Sequence, residues 1–490
     1  MMQPTSPIEL TGTASRFGAT VELPDGFAAQ LAELCATVTD VTAAAEASRD
    51  WWPLAMHWAL AGQVPQRAAV VARPATTAEV AAVVALCNRA GVPVTPAGGR
   101  SGVLGASIPL FGGVLLDLTS MQGIVSVDEV SGIVEVLPGT FGPDLEDEMR
   151  GTHGLTIGHF PQSFDIATVG GWVACRGAGQ YSTRYGKIEQ MVVGLEVVLA
   201  DGTVTRTGGF PAAAQGPDLS QLFIGSEGTL GVVTRVWMKA HPVPPAERRA
   251  AFAFDTFEAG LDSCRRILRR GATPAVLRLY DAAESQRGQG GDGTYCVLLV
   301  LDEGDEGLIE ATMSILAQEC ATAAALPVEL VEKWMHHRND TSALQALTRK
   351  GFVVDTLEIA APWAALDDIF REVPLAMLAV PHARAATCHL SHSYLDGACL
   401  YFTFAATPPA DEVEATYVSL WDAGQRAVLD HGGNLSHHHG VGLNRARFVP
   451  QALGSALPIL QSLKTALDPN GIMNPGKMGL ATSFGTVSWP

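Results

Sequence analysis

Residues 96–107 read PAGGRSGVLGAS, with glycines at 98, 99, 102 and 105. This stretch restricts the fold more than any other. A loop so rich in glycine lets its backbone approach a neighbour, or a phosphate, where side chains would obstruct. It follows a short apolar strand, VPVTPAGG. It is neither the GxGxxG that opens a Rossmann helix nor a Walker loop with GK[ST]. Taken alone, it suits a structural turn as well as a phosphate cradle.

The rest of the chain narrows the choice. At 490 residues it is long enough for two or three domains. Apolar residues make up 47%, a globular composition. Against 32 basic residues stand 50 acidic ones, a formal charge of -18. With no basic patch in view, nucleic acid would be repelled, and the same charge argues against binding an anionic membrane by electrostatics. The N-terminus has neither a basic n-region nor an apolar h-region, so no signal peptide is expected. No apolar run is long enough for a transmembrane segment. The eight cysteines form no CxxC, which reads as free thiols in a reduced cytoplasm.

Residues 26–48 read as one Ala-rich helix, broken by DWWP (Asp50–Pro53), which reads as packing. TTAEVAAVVALCNRAG is a helix with a capping box from Thr76 and Glu79 and a stop at Gly91. VVGLEVVLADGTVTRTG reads as a hairpin around Asp201-Gly202. HPVPP (His241–Pro245) reads as a boundary, after which helix and strand alternate to about residue 430. The expected divisions are 1–65, 66–245, 246–430 and 431–490.

Further motifs then accumulate in order: TVGG (Thr168–Gly171), YGKIEQMVVGLEVVLADG, GSEGTLGVVT and a terminal DPNGIMNPGK. Together with PAGGRS they resemble the PCMH-type FAD-binding flavoenzymes of the vanillyl-alcohol-oxidase-like superfamily. The resemblance implies an α+β fold: a two-subdomain FAD-binding domain at 66–245, and an α/β cap domain with an antiparallel sheet at 246–430. The segment 431–490 would return to the flavin, and 1–65 would be a helical N-terminal segment. It implies FAD held by Pro96, Gly98, Gly99, Arg100, Ser101 and Gly102. It also implies contacts from Gln162, Ser163, Thr168, Gly170, Gly171, Arg176, Ala178, Ser226, Glu227, Gly228, Val232 and Val233. Some relatives tether FAD to a histidine in the first glycine loop. Arg100 stands there, so non-covalent FAD is expected. A homodimer acting on a small-molecule substrate is also expected.

LSHHHGVG (Leu435–Gly442) selects a branch. The hydroxy-acid dehydrogenases of this superfamily carry HxGDGNxH and SGEHGIG, whose two His and Glu hold a divalent metal. Here only His389 survives of the first pair, and His438 replaces the glutamate, so no such metal is expected. A softer metal on His389, His392 and the triplet is the residual metal reading. The triplet and DGACLYFTF instead resemble alkyldihydroxyacetonephosphate synthase. Residue by residue, that resemblance makes Tyr401 an acid/base, makes His437, His438 and His439 essential, and makes His159, Thr168, Ser226 and Arg278 important. It implies base-assisted chemistry at flavin N5 on a small oxygenated substrate. The alternative is oxidation of a 2-hydroxy acid or alcohol by hydride transfer to N5. A flavin-binding protein without catalysis is disfavoured by the His, Tyr and Arg set. One departure concerns the synthase family's phosphate-binding arginine. Its position falls on Leu344, with Arg338 and Arg349 out of register.

The residue types suit the chemistry. Imidazole is a base near neutral pH. A tyrosine hydroxyl stabilises a developing oxyanion, and an arginine fork grips an anion. Each also has a plain reading. Three histidines can form a solvated loop, and Tyr401 can be a core tyrosine with a satisfied hydroxyl. Arg278, among apolar residues, needs either a ligand or a carboxylate. His389 and His392 stand three apart on a strand and are expected to face opposite sides. MHHR (Met335–Arg338) reads as a helix face.

Overall fold

The computed structural model describes residues 10, 12–340 and 342–489, and only the backbone of 342–345. It is an α+β chain built on three main sheets. The first has four strands, in the order Ala36–Val38, Val70–Arg73, Val114–Asp117, Val94–Ala97. The last three run parallel and the first antiparallel. A parallel pairing needs a crossover, which the helix Thr77–Ala90 provides. Thr76 caps that helix by accepting from the Glu79 N–H, and Gly91 closes it at φ 64°. The Glu79 carboxylate reaches the Ala75 N–H rather than that of Thr76, one residue short of the expected box.

The second sheet is antiparallel, in the order Val204–Gly208, Val192–Val198, Val232–Lys239, Ile133–Val136, Ile124–Asp128. Its first two strands form the hairpin turning at Asp201-Gly202. The single helix expected over 26–48 is two. Phe27–Leu34 and Val41–Ala47 flank the edge strand Ala36–Val38. Asp40 restarts the helix by accepting from the Ala43 N–H, and a run of alanine carries no signal of that interruption.

The third sheet has seven antiparallel strands: Ala324–Leu326, Ala246–Phe254, Cys296–Gly304, Val276–Tyr280, Ala383–Ser393, Gly397–Ala406, Val353–Pro362. The helices Phe257–Arg269, Glu306–Glu319, Trp363–Leu378 and Val413–Asp430 pack against it. Strand alternation sorts the residues. Leu277, Leu279, Leu357, Ile359, Leu400 and Phe402 enter the helix-side core. Arg278, Glu358 and Tyr401, at the intervening positions, emerge on the other face, where Tyr401 reaches the cavity, Glu358 the histidine loop and Arg278 His389.

One expectation fails at this face. A register shift between Leu390 and His392 breaks the alternation, so His389 and His392 point the same way. His389 stacks on Tyr401 at 4.8 Å and His392 on His437 at 4.7 Å. The chain end returns to the first sheet. Met473 bridges Val94, and the buried Lys477 Nζ donates to the carbonyls of Gly105 (2.5 Å) and Ile108 (2.8 Å). Among the described residues no helix is long and apolar enough to cross a membrane.

Candidate active site

A long cavity runs between the first two sheets and the seven-stranded sheet. Its glycines permit two loops to touch. A Cβ on Gly98 would collide with Thr168 Oγ1, and one on Gly99 with the Ile166 carbonyl, whereas Gly102 faces open space. Thr168 caps the helix Val169–Cys175 with its side chain. Arg100 adopts φ 56°, a left-handed backbone that costs a non-glycine residue about 1 kcal/mol. It is 8% exposed, its Nη1 stands 3.6 Å from Asp117, and its Nε and Nη1 have no hydrogen-bond partner. Buried polar groups are nearly always paired, so such orphans mark ligand contacts. More lie along the same wall: both ring nitrogens of His159, and Nε1 of Trp172 and Trp51. His159 packs on Trp172 at 4.6 Å, and burial lowers its pKa to about 3, so it stands neutral.

At the other end lies the histidine loop, which two buried carboxylates organise. Glu358 accepts the backbone N–H groups of His437 (2.5 Å), His438 (3.1 Å) and His439 (3.0 Å). It also accepts Ser436 Oγ (2.9 Å) and Arg445 Nη1 (2.7 Å). Burial by itself raises the Glu358 pKa, but Arg445 beside it prevails and holds the carboxylate well below its usual range. Glu227 takes the N–H groups of Val441 (2.6 Å) and Gly442 (2.8 Å). Gly440, at φ 82°, passes so close that a Cβ would strike Glu227 Oε1.

This loop presents His438 and His439 to the cavity, beside Tyr401. Burial lowers the pKa of both histidines, that of His439 to about 4. Burial also raises the Tyr401 pKa, so its hydroxyl keeps its proton while donating to Thr356 Oγ1 at 3.1 Å. Two neutral imidazoles and a protonated phenol therefore share one wall, with the imidazoles placed to accept a proton and the phenol to donate one.

The expected cofactor residues line this cavity with one exception. Arg176 caps the helix Val169–Cys175 from outside, at φ 58°, and its Nε pairs with Glu189 at 3.3 Å. His437 and Arg278 stand behind the wall. His437 Nδ1 meets His438 Nδ1 at 2.9 Å, and its Nε2 meets Tyr394 Oη at 2.8 Å. Arg278 donates to His389 Nε2 at 2.6 Å, and His389 Nδ1 bonds Glu284 at 2.8 Å. A carboxylate does lie near Arg278, but through His389. The Leu344 side chain lies outside the described residues. Donor atoms of Glu358, Cys399, His437 and His438 lie within 4.8 Å of one another. Both Glu358 oxygens are already engaged, and His389 is turned to Arg278 and Glu284.

Several cavity residues escaped the sequence reading. Trp51, Pro53 and Met56 close one side, so half of DWWP borders the cavity while Trp52 packs against Trp58 and Trp489. Trp172, Thr348 and Thr356 also line it. Glu358, the organiser of the loop, had one faint signal: a carboxylate inside the apolar strand VVDTLEIA. Arg338 leaves its helix face to stack over Tyr181 (5.1 Å) and Phe160 (5.4 Å).

Residues 68–208 match the FAD binding domain family, and 243–478 match the FAD linked oxidases, C-terminal domain. The uncharacterized FAD-linked oxidoreductase YgcU of Escherichia coli (strain K12) is 33% identical over 430 residues, 83% of this chain and 88% of that protein. Alkyldihydroxyacetonephosphate synthase of Dictyostelium discoideum is 29% identical over 460 residues, 85% of this chain and 74% of that one. A solved structure of an alkyldihydroxyacetonephosphate synthase superposes with a TM-score of 0.77 at 25% identity, covering 93% of this chain and 87% of the other.

Proposed function

This chain belongs to the FAD-linked oxidase family, with FAD as its cofactor, and from that premise we propose a base-assisted enzyme acting on a small oxygenated substrate. In its acid–base residues it resembles the synthases. The observation that carries the reading is the wall shared by His438, His439 and Tyr401. The cavity fits the cofactor: orphaned polar atoms of Arg100, His159, Trp51 and Trp172 belong to residues that line it, and Gly102 in the glycine loop faces open space. Gly98, Gly99, Arg100 and Ser101 would hold the pyrophosphate. Thr168, Gly170, Gly171, Ser226, Glu227 and Gly228 would border the ring system, and FAD would be held without a covalent link. Bound FAD supplies an electron-poor ring able to take electrons from the substrate or to bond reversibly to its carbon.

The side chains do the rest. His438 or His439, neutral at physiological pH, takes a proton from a carbon beside a carbonyl or from a hydroxyl. Tyr401 keeps its proton and donates to the oxygen where charge develops. Arg278 acts through His389, which it holds against the Tyr401 ring.

One observation favours the second reading, oxidation of a hydroxy acid or alcohol. Arg100 is the only lysine or arginine among the described residues lining the cavity. Among the described residues, the cation nearest to Tyr401 in the hydrogen-bonded wall, Arg278, is engaged by His389 and does not line the cavity. An anaerobic titration decides between the two. Release of fatty acid from acyl-dihydroxyacetone phosphate, with no flavin bleaching by alcohols or hydroxy acids, is the result expected for the synthase-like reading. Bleaching by an alcohol or hydroxy acid overturns it in favour of hydride transfer.

A further inference from the structure

The side chains behind Tyr401 form an ordered line. Arg278 Nη2 stands 2.6 Å from His389 Nε2, and His389 Nδ1 stands 2.8 Å from Glu284 Oε2. A guanidinium can only donate, so His389 Nε2 must accept. The one proton of a neutral imidazole then sits on Nδ1 and is donated to the Glu284 carboxylate. No other protonation state serves both contacts, because an imidazolium would set two donors against each other at Nε2. Burial also lowers the His389 pKa, which favours the neutral ring.

Glu284 is itself held in place. It is 7% exposed and lies in the first turn of the helix Ala282–Gly288, where the cap Asp281 accepts its backbone N–H at 2.7 Å. Thr387 Oγ1 donates to its other oxygen, Oε1, at 2.8 Å, and Arg287 stands 3.4 Å from that oxygen. Asp281 also accepts the N–H of Cys388 at 2.6 Å, which ties this helix to the strand one residue before His389. His389 and Tyr401 stand opposite each other on paired strands, with their rings 4.8 Å apart and inclined by 22°.

We propose that Glu284 is a positioning residue for Tyr401. By holding His389 through its Nδ1–H, it fixes the ring plane against which the phenol stacks, and so the direction of the Tyr401 hydroxyl. Glu284 does not line the cavity and touches no substrate. The inference rests on the proposed reading that Tyr401 donates its proton to the substrate. Arg278 holds the far side of the same imidazole, and the Tyr401 hydroxyl meets Thr356 Oγ1 at 3.1 Å, so the ring is fixed at its face and at its tip.

Two substitutions in the FAD-loaded enzyme separate place from charge. Glu284→Asp keeps the charge but draws the carboxylate back from His389. Glu284→Gln loses the charge but leaves an oxygen within reach of the Nδ1–H. Turnover is followed without oxygen, as fatty acid released from acyl-dihydroxyacetone phosphate and as flavin bleaching by hydroxy acids and alcohols. Positioning predicts that Glu284→Asp lowers kcat about tenfold or more with KM within about twofold, the signature of a misplaced reacting group. Glu284→Gln, which keeps the hydrogen bond, stays within about threefold of the parent. In a Tyr401→Phe background Glu284→Asp costs nothing further, because the hydroxyl it places is gone. Parent-like kcat in Glu284→Asp, a loss in Glu284→Gln as large as in Glu284→Asp, or the same loss with and without the Tyr401 hydroxyl each overturns the inference. A Tyr401→Phe enzyme that turns over at the parent rate instead overturns the reading of Tyr401 as the acid, whatever the Glu284 variants do. The two failures are therefore distinguishable.

Discussion

At His438 the burial that makes an imidazole a poor cation keeps it in the neutral, proton-accepting form. An ordinary histidine, with a pKa of about 6.5, is mostly protonated and useless as a base by pH 5.5. Burial moves His439 to about 4 and also lowers His438 well below its usual value. The sign follows: the neutral, proton-accepting form persists as pH falls and is lost only below the depressed pKa. The kcat/KM profile should therefore stay flat from about pH 8 to about pH 5.5. An acid limb centred near 6.5 would show an unshifted base. Replacing His437, His438 and His439 together by alanine should lower turnover by about 10²–10⁴-fold while flavin absorbance persists. Full activity with flavin bound would remove the triplet from the chemistry. At this scale the sequence was informative about residue type and silent about address. Tyr401 and His438 were both named from motifs and both reach the cavity. Arg278, named the same way, stands behind it because His389 lies between.

Among the elements, the loop Leu435–Gly442 shows how a segment without regular structure is held rigid. Its consecutive N–H groups find no helix or strand partner, and two buried carboxylates from distant strands and turns accept them. The Glu358→Gln change leaves the fully buried Arg445 without a counter-charge, which costs about 3–5 kcal/mol. Urea unfolding of the two proteins measures this. A loss under about 1 kcal/mol would mean that the N–H groups, not the charge, carry the interaction. The capping residues Thr76 and Gly91 and the Asp201-Gly202 turn were legible because each acts through its immediate neighbours. The interruption of 26–48 and the bulge after Leu390 were not. The first depends on an edge strand finding its partner at Val70–Arg73, the second on the register of a seven-stranded sheet.

For the whole molecule, the chain end closes what the glycine loop begins. Lys477 is 1% exposed, donates to two loop carbonyls, and is the nearby cation for the buried Asp50 and Glu227. A Lys477→Met enzyme should elute from gel filtration stripped of most of its flavin, and should unfold about 3–5 kcal/mol more easily. Retention of full flavin absorbance would place the tail outside cofactor binding. Saturating apoprotein with FAD at about 100 times its Kd should raise stability by about 2.7 kcal/mol, read as a higher Tm.

What the sequence by itself determined was local and chemical. Glycines stand where a Cβ collides, Thr168 caps its helix, three histidines lie in a row, and the order of motifs marks a flavoenzyme. Those properties reside in a residue and its near neighbours, so they survive being read along a line. Only the tertiary structure decided which histidine faces the cavity, that Glu358 holds the loop, that Trp51 borders the cavity, and that Tyr394 reaches His437. Glu358 lies 79 positions before His437, and Tyr394 lies 43 before it. Side-chain alternation and hydrogen bonding act across space, and sheet pairing alone sets which distant positions become neighbours.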